Sequence, residues 1–276
     1  MNKHTFIREK SLERYDCSYK EVEWFEYSEE EQQAVRQTRR TRTRASPPKI
    51  KRLNDERSRK YFRWLLHNNF GKGDYHVTLT FKHEPTKEQG QKEFSNFIRR
   101  VRRLYDKANI EFKYLYVCEG RRSGSRLHYH LICNSGVLRD DIESKWKLGL
   151  ANTDRLQPDA NDGLYALSRY LVKSKASAEK YERSWNCSAN LKRPDEVTDD
   201  NSVSRKRMRK AQDAKRNDEV KRTIERIYIG WSVIDYDIGV NPVTGRPYAR
   251  FKLMRKRKYK RYLSLYKAIK RKGKSP

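Results

Sequence analysis

The chain has 276 residues, enough for one large domain or for a compact domain with substantial extensions. Its 65 Lys and Arg against 36 Asp and Glu leave a formal net charge of +29, which calls for a polyanionic partner, nucleic acid first. No run approaches the roughly 18 apolar residues of a membrane span, and the start Met1-Asn2-Lys3-His4 has no apolar signal core. Cys17, Cys118, Cys133 and Cys187 form no CxxC pair, so a disulfide framework and a zinc ribbon are set aside and a reducing cytoplasm is expected.

Three regions follow in chain order. Residues 1–55 read as a basic N-terminal extension. Within it Tyr19–Tyr27 (YKEVEWFEY) suits a short strand, Glu29, Glu30 and Glu31 open a polar helix, and Arg36–Arg44 (RQTRRTRTR) with Ala45-Ser46-Pro47-Pro48 forms an exposed basic linker. Residues 56–195 hold the periodic apolar pattern of a core. Tyr75–Phe81 (YHVTLTF) alternates: Tyr75, Val77, Leu79 and Phe81 share one face, and His76, Thr78 and Thr80 share the other. Thr86 caps a helix carrying Phe94, Phe97, Ile98, Val101 and Leu104 at three- and four-residue spacing.

A second strand, Phe112–Cys118, leads through the turn GRRSGSR (Gly120–Arg126) to a third, Leu127–Cys133 (LHYHLIC). A short helix at Arg139–Leu148, a strand at Leu150–Leu156 and a helix beginning at Asp162 complete the core. Residues 196–276 form a basic C-terminal region. Residues 204–226 read as a solvated, charge-laced helix, and Phe251–Pro276 contains twelve basic residues and no acidic one. That tail is either a disordered extension or a helix on Tyr259, Tyr262, Leu265, Tyr266 and Ile269 that folds on DNA. The order β-α-β-β-α-β predicts an α+β fold: an antiparallel, ferredoxin-like split βαβ sheet, with helices on one face, the other face open, and basic extensions.

The open face carries the chemistry. His128 and His130 stand two apart on the third strand and point to one side, opposite Leu127, Tyr129, Leu131 and Cys133. A hairpin pairing Glu119 with His128 brings that carboxylate to the same face. Two imidazoles and a carboxylate can hold a divalent cation and leave positions for water or phosphate. A hydrogen-bonded surface pair of histidines, with Glu119 at the mouth of a turn, is the alternative.

Downstream, Tyr170 and Lys173 in ALSRYLVKSK lie three apart on a predicted helix. A phenol of pKa about 10 needs help to attack phosphorus, and a nearby ammonium supplies it. Otherwise Tyr170 is a core-edge aromatic. Tyr165, rotated about 140° away on the same helix, is the rival nucleophile and suits packing. Arg121, Arg122 and Arg126 in the turn can hold phosphates or form a solvated hairpin tip. His76, Thr78 and Thr80 could contact DNA or support the metal ligands, although threonine is common in strands for its own sake.

The strand YHVTLTF, the H-x-H strand RLHYHLIC with Glu119 nine residues before its first histidine, and the Y-x-x-K helix occur in an order that resembles HUH-superfamily rolling-circle replication initiators of single-stranded-DNA phages and plasmids. The segments RSWNCSANLKRP (Arg183–Pro194) and GWSVIDYDIG (Gly230–Gly239) resemble the region after the tyrosine helix in phage-type members. Tyr129 fills the middle of the H-x-H, and one well-placed tyrosine matches single-tyrosine members. The resemblance implies that residues 56–195 are a nickase domain. It further implies Mg²⁺ or Mn²⁺ on His128, His130 and Glu119, attack by Tyr170 on an origin phosphodiester, and Lys173 as assisting cation. The expected partners are single-stranded origin DNA and, since no GxxxxGK[ST] is present, a host helicase in a bacterial cytoplasm. A single-tyrosine HUH transposase or plasmid relaxase shares these residues, and a non-catalytic RRM-like binder shares the topology and charge.

Overall fold

Strand pairing sorts the chain into two antiparallel five-stranded sheets, seen in a computed structural model that describes residues 5–14, 18–30, 48–120, 126–159, 162–172, 185–214 and 216–256. In chain order the elements are β1 (Phe6–Glu13), β2 (Tyr19–Tyr27), α1 (Pro48–Asn69), β3 (Tyr75–Thr80), α2 (Lys87–Lys107), β4 (Tyr114–Glu119), β5 (His128–Cys133), α3 (Arg139–Glu143), β6 (Ala151–Arg155), α4 (Tyr165–Leu171), β7 (Trp185–Cys187), β8 (Glu196–Asp199), α5 (Arg205–Asp213), α6 (Asn217–Ile227), β9 (Trp231–Val240) and β10 (Pro247–Arg255). The class is α+β. The packing makes two units, Ser58–Arg193 and a discontinuous one of Met1–Arg57 with Pro194–Pro276.

In the unit Ser58–Arg193 the strand order is β6-β3-β5-β4-β7. Alternation in YHVTLT buries Tyr75, Val77 and Leu79 on the face that α2 covers. Thr86 and Gln89 form a reciprocal capping box that starts α2, and the helix then turns Phe94, Phe97, Ile98, Val101 and Tyr105 inward. Phe94 stacks on Tyr129 of β5 with ring centroids 4.2 Å apart, so the helix is keyed to the strand that carries the histidines.

The second face is covered over part of its length, which corrects the expectation of helices on one face only. Leu115, Val117 and Ile132 pack there with Phe62, Leu65 and Leu66 of α1, Phe70 just beyond it, and Leu164 and Leu171 at α4. The cause is visible in YLYV and HLIC, which are apolar at consecutive positions, as in strands buried on both faces. Only the end of this face bearing Glu119, His128 and Thr80 is polar.

In the other unit the order is β8-β1-β2-β10-β9. Met208 and Ala211 of α5, with Val220 and Ile224 of α6, pack on Ile7, Val22, Trp24, Phe251 and Leu253. Three expectations change here. The N-terminal region supplies the strands β1 and β2, its charges matched across the sheet by pairs such as Arg8–Asp200 and Arg250–Glu23. Residues 204–226 make two helices with buried inner faces rather than one solvated helix, since Met208, Ala211, Val220 and Ile224 are all buried. Phe251–Arg255 belongs to β10, so that part of the basic tail is core. Among the described residues no helix is long and apolar enough to cross a membrane.

Candidate active site

Register assembles the site. Across β4 and β5 Glu119 pairs with His128 and Val117 with His130, while across β3 and β5 Thr80 pairs with His128 and Thr78 with His130. All these side chains share the second face, whose apolar end is Leu115, Val117 and Ile132. His130 stands at the boundary and is 4 % exposed, whereas Glu119 and His128 are half-buried.

Two backbone features aim the hairpin. Gly120, directly after Glu119, has φ +116°, and a methyl there would lie 2.4 Å from the Arg126 carbonyl oxygen, so only glycine lets the strands diverge at this point. At the start of β5 the Leu127 N–H donates to both carboxylate oxygens of Glu84, each at 3.1 Å. Sequence reasoning missed Glu84, because a carboxylate just past a strand carries no pattern until the backbone it meets is known.

The ligand atoms of Glu119, His128 and His130 lie within 4.8 Å of one another, and the three could hold a metal ion. The donor set fits. His128 Nδ1 lies 2.8 Å from the Arg126 carbonyl oxygen, which can only accept, so Nδ1 carries the proton and Nε2 offers its lone pair. That Nε2 is 3.6 Å from Glu119 Oε2, longer than a direct hydrogen bond. His130 Nδ1 faces His76 Nε2 at 3.1 Å and Thr78 Oγ1 at 3.4 Å. Burial holds the His76 imidazole below its ordinary range, and the charge of Asp154 opposes that shift.

The structure brings together Glu119, His128, His130, Thr78 and Tyr170. Tyr170 is 47 % exposed, and its ring meets His130 edge-on with centroids 5.8 Å apart. Leu164 and Leu171 anchor the short α4 in the apolar cluster on either side of it. Tyr165 is buried, with the guanidinium groups of Arg63 and Arg169 at 5.7 and 5.9 Å from its ring. Thr80 turns to the Leu150 carbonyl at 3.4 Å, and Arg126 is exposed beside the histidines. Arg121, Arg122 and Lys173 lie outside the described residues, as do the basic linker at 36–44 and the tail from 257.

Residues 74–175 match the model of the ORF2 family of replication-associated proteins. The matched segment runs from β3 through α4 and so contains every one of these side chains. It is similar to replication-associated proteins. A search of curated proteins finds no match. Among solved structures, the hypothetical protein ORF119 from Sulfolobus islandicus rod-shaped virus 1 aligns at 13 % identity and a TM-score of 0.29, over 45 % of this chain and 97 % of that chain, a likeness too slight to bear on the fold.

Proposed function

We propose that the chain is an HUH-type replication initiator, a metal-dependent nickase and strand-rejoining enzyme acting on single-stranded origin DNA. The observation that carries this reading is Tyr170, a half-exposed tyrosine against the buried His130 of the Glu119–His128–His130 cluster. The family match over 74–175 supports the replication role. The strand order β6-β3-β5-β4 is the one a ferredoxin-like split βαβ unit requires, which supports that description of the domain.

In the proposed reaction the Tyr170 hydroxyl gives up its proton and its oxygen attacks a backbone phosphorus. The Oη–P bond forms, the P–O3′ bond breaks, and the departing 3′ oxygen takes up a proton to become a primer hydroxyl. Held by Glu119, His128 and His130, Mg²⁺ or Mn²⁺ supplies polarisation of the phosphate oxygens and offsets their charge. Lys173, one turn of helix beyond Tyr170, assists the phenolate, and Arg121, Arg122 and Arg126 hold flanking phosphates. Thr78 steadies His130 at 3.4 Å. Because the phosphotyrosine retains a transferable phosphoryl bond, a later 3′-OH displaces Tyr170 and reseals the strand. Unwinding is left to a helicase of a bacterial host, in whose cytoplasm the protein acts.

The test uses labelled single-stranded oligonucleotides tiling the intergenic DNA beside the chain's own gene, with Mn²⁺, Mg²⁺ or EDTA, resolved on denaturing gels. Cleavage at one site, with a slow-migrating protein–DNA adduct in Mn²⁺ or Mg²⁺ and none in EDTA, is expected. Tight binding without cleavage under any of these conditions would instead favour a non-catalytic RRM-like binder. A cut confined to a transposon end or a transfer origin would favour a transposase or relaxase.

A further inference from the structure

We propose that His76 is a positioning residue that holds His130 in the tautomer with which it binds a divalent cation, and is not a DNA contact. The inference rests on the reading that Glu119, His128 and His130 hold the cation.

The two histidine ligands are braced differently. His128 Nδ1 meets the Arg126 carbonyl at 2.8 Å, and an acceptor of that kind admits one tautomer. His130 Nδ1 instead meets another imidazole, His76 Nε2, at 3.1 Å, with ring centroids 5.2 Å apart. One proton sits between those nitrogens, and either ring can own it. If His76 donates, neutral His130 carries its proton on Nε2 and has no lone pair there for a metal. If His130 donates from Nδ1, its Nε2 is a ligand.

The neighbouring strand favours the second arrangement. Asp154 of β6 lies directly opposite His76 in the ladder, so its negative charge favours the His76 proton on Nδ1 and leaves Nε2 as the acceptor. Asp154 is itself held, accepting from Asn152 Nδ2 at 2.9 Å. The path Asp154–His76–His130 thus runs across three adjacent strands to the candidate ligand. Thr78 Oγ1, 3.4 Å from the same His130 nitrogen, lies on the side facing the ladder partner and keeps the ring in place.

Two measurements on the full-length chain test this. Long-range ¹H–¹⁵N NMR reads the tautomer of His130, and titration calorimetry reads Mn²⁺ affinity. In the wild type the proton is expected on His130 Nδ1. His76→Ala should mix the tautomers and weaken Mn²⁺ binding by about 10- to 100-fold. His76→Gln, whose amide oxygen can accept, should recover most of that affinity, and Asp154→Asn should shift the His130 proton toward Nε2. Single-stranded DNA binding in EDTA should be the same for wild type and His76→Gln. If His76→Ala does not fold, the Gln and Asn variants decide.

An Nε2–H tautomer at His130 in the wild type would overturn the proposal, as would equal Mn²⁺ affinity in wild type and His76→Ala. A wild type that binds no Mn²⁺ would contradict the cation reading itself, while the NMR arm still decides whether His76 holds the His130 proton on Nδ1.

Discussion

Tyr170 and Tyr165 differ in environment more than in sequence. Both are tyrosines of one seven-residue helix, yet one borders His130 half-exposed and the other is buried among apolar groups. Tyr170→Phe should therefore cut adduct formation by on the order of 10³-fold or more while leaving DNA binding intact. Tyr165→Phe should leave cleavage close to wild type, and equal losses in the two variants would argue against the assignment. The cysteines offer a check on burial at the same scale. The Cys133 thiol is fully buried and pushed up to about 12 by that burial, whereas Cys118 is exposed. Brief iodoacetamide treatment at pH 8, read by peptide mass, should label Cys118 and spare Cys133 until the chain is unfolded. Early labelling of Cys133 would mean that β5 is not packed as described.

At the scale of elements, the hairpin between β4 and β5 decides whether Glu119 faces His128. Gly120→Ala places a methyl against the Arg126 carbonyl at a positive φ, with an expected loss of about 1–3 kcal/mol in urea denaturation and weaker Mn²⁺ binding. Unchanged stability and affinity would show that the turn does not set the register. Much of this part was legible in the sequence. YHVTLT and RLHYHLIC alternate clearly enough to assign faces, Thr86 announces its helix, and the Glu119–His128 pairing follows from a short hairpin.

The rest was hidden for physical reasons. Leu115, Val117 and Ile132 need a cover, but periodicity within a strand does not say which helix provides it. In FIREKSLE the apolar residues are interrupted by charges whose partners, Asp200 and Glu196, stand far along the chain on and beside β8. Long-range pairing of that kind leaves no local signal, so β1 is hidden within what reads as a basic extension. The His76–His130 contact was visible only as two polar residues on neighbouring strands. Its meaning depends on a distance.

For the whole molecule, charge sets how DNA is held and where the chain can be cut. Removing 251–276 would take Phe251 and Leu253 from a buried core, so a truncation belongs at 257. The residues beyond Lys256 carry nine Lys and Arg and no acidic group. Their removal should leave thermal stability unchanged and weaken binding to single-stranded DNA. The slope of log K against log salt should fall by about 0.7 for each phosphate that the tail neutralises in the full-length chain. An unchanged slope would mean that the tail neutralises none.

The most direct test of the central claim is to trap the protein–DNA adduct with Mn²⁺, digest it with protease and nuclease, and locate the nucleotide by peptide mass. The account predicts the added mass on Tyr170 in the wild type, and no adduct in Tyr170→Phe. A nucleotide found on Tyr165 or on any other residue would contradict it.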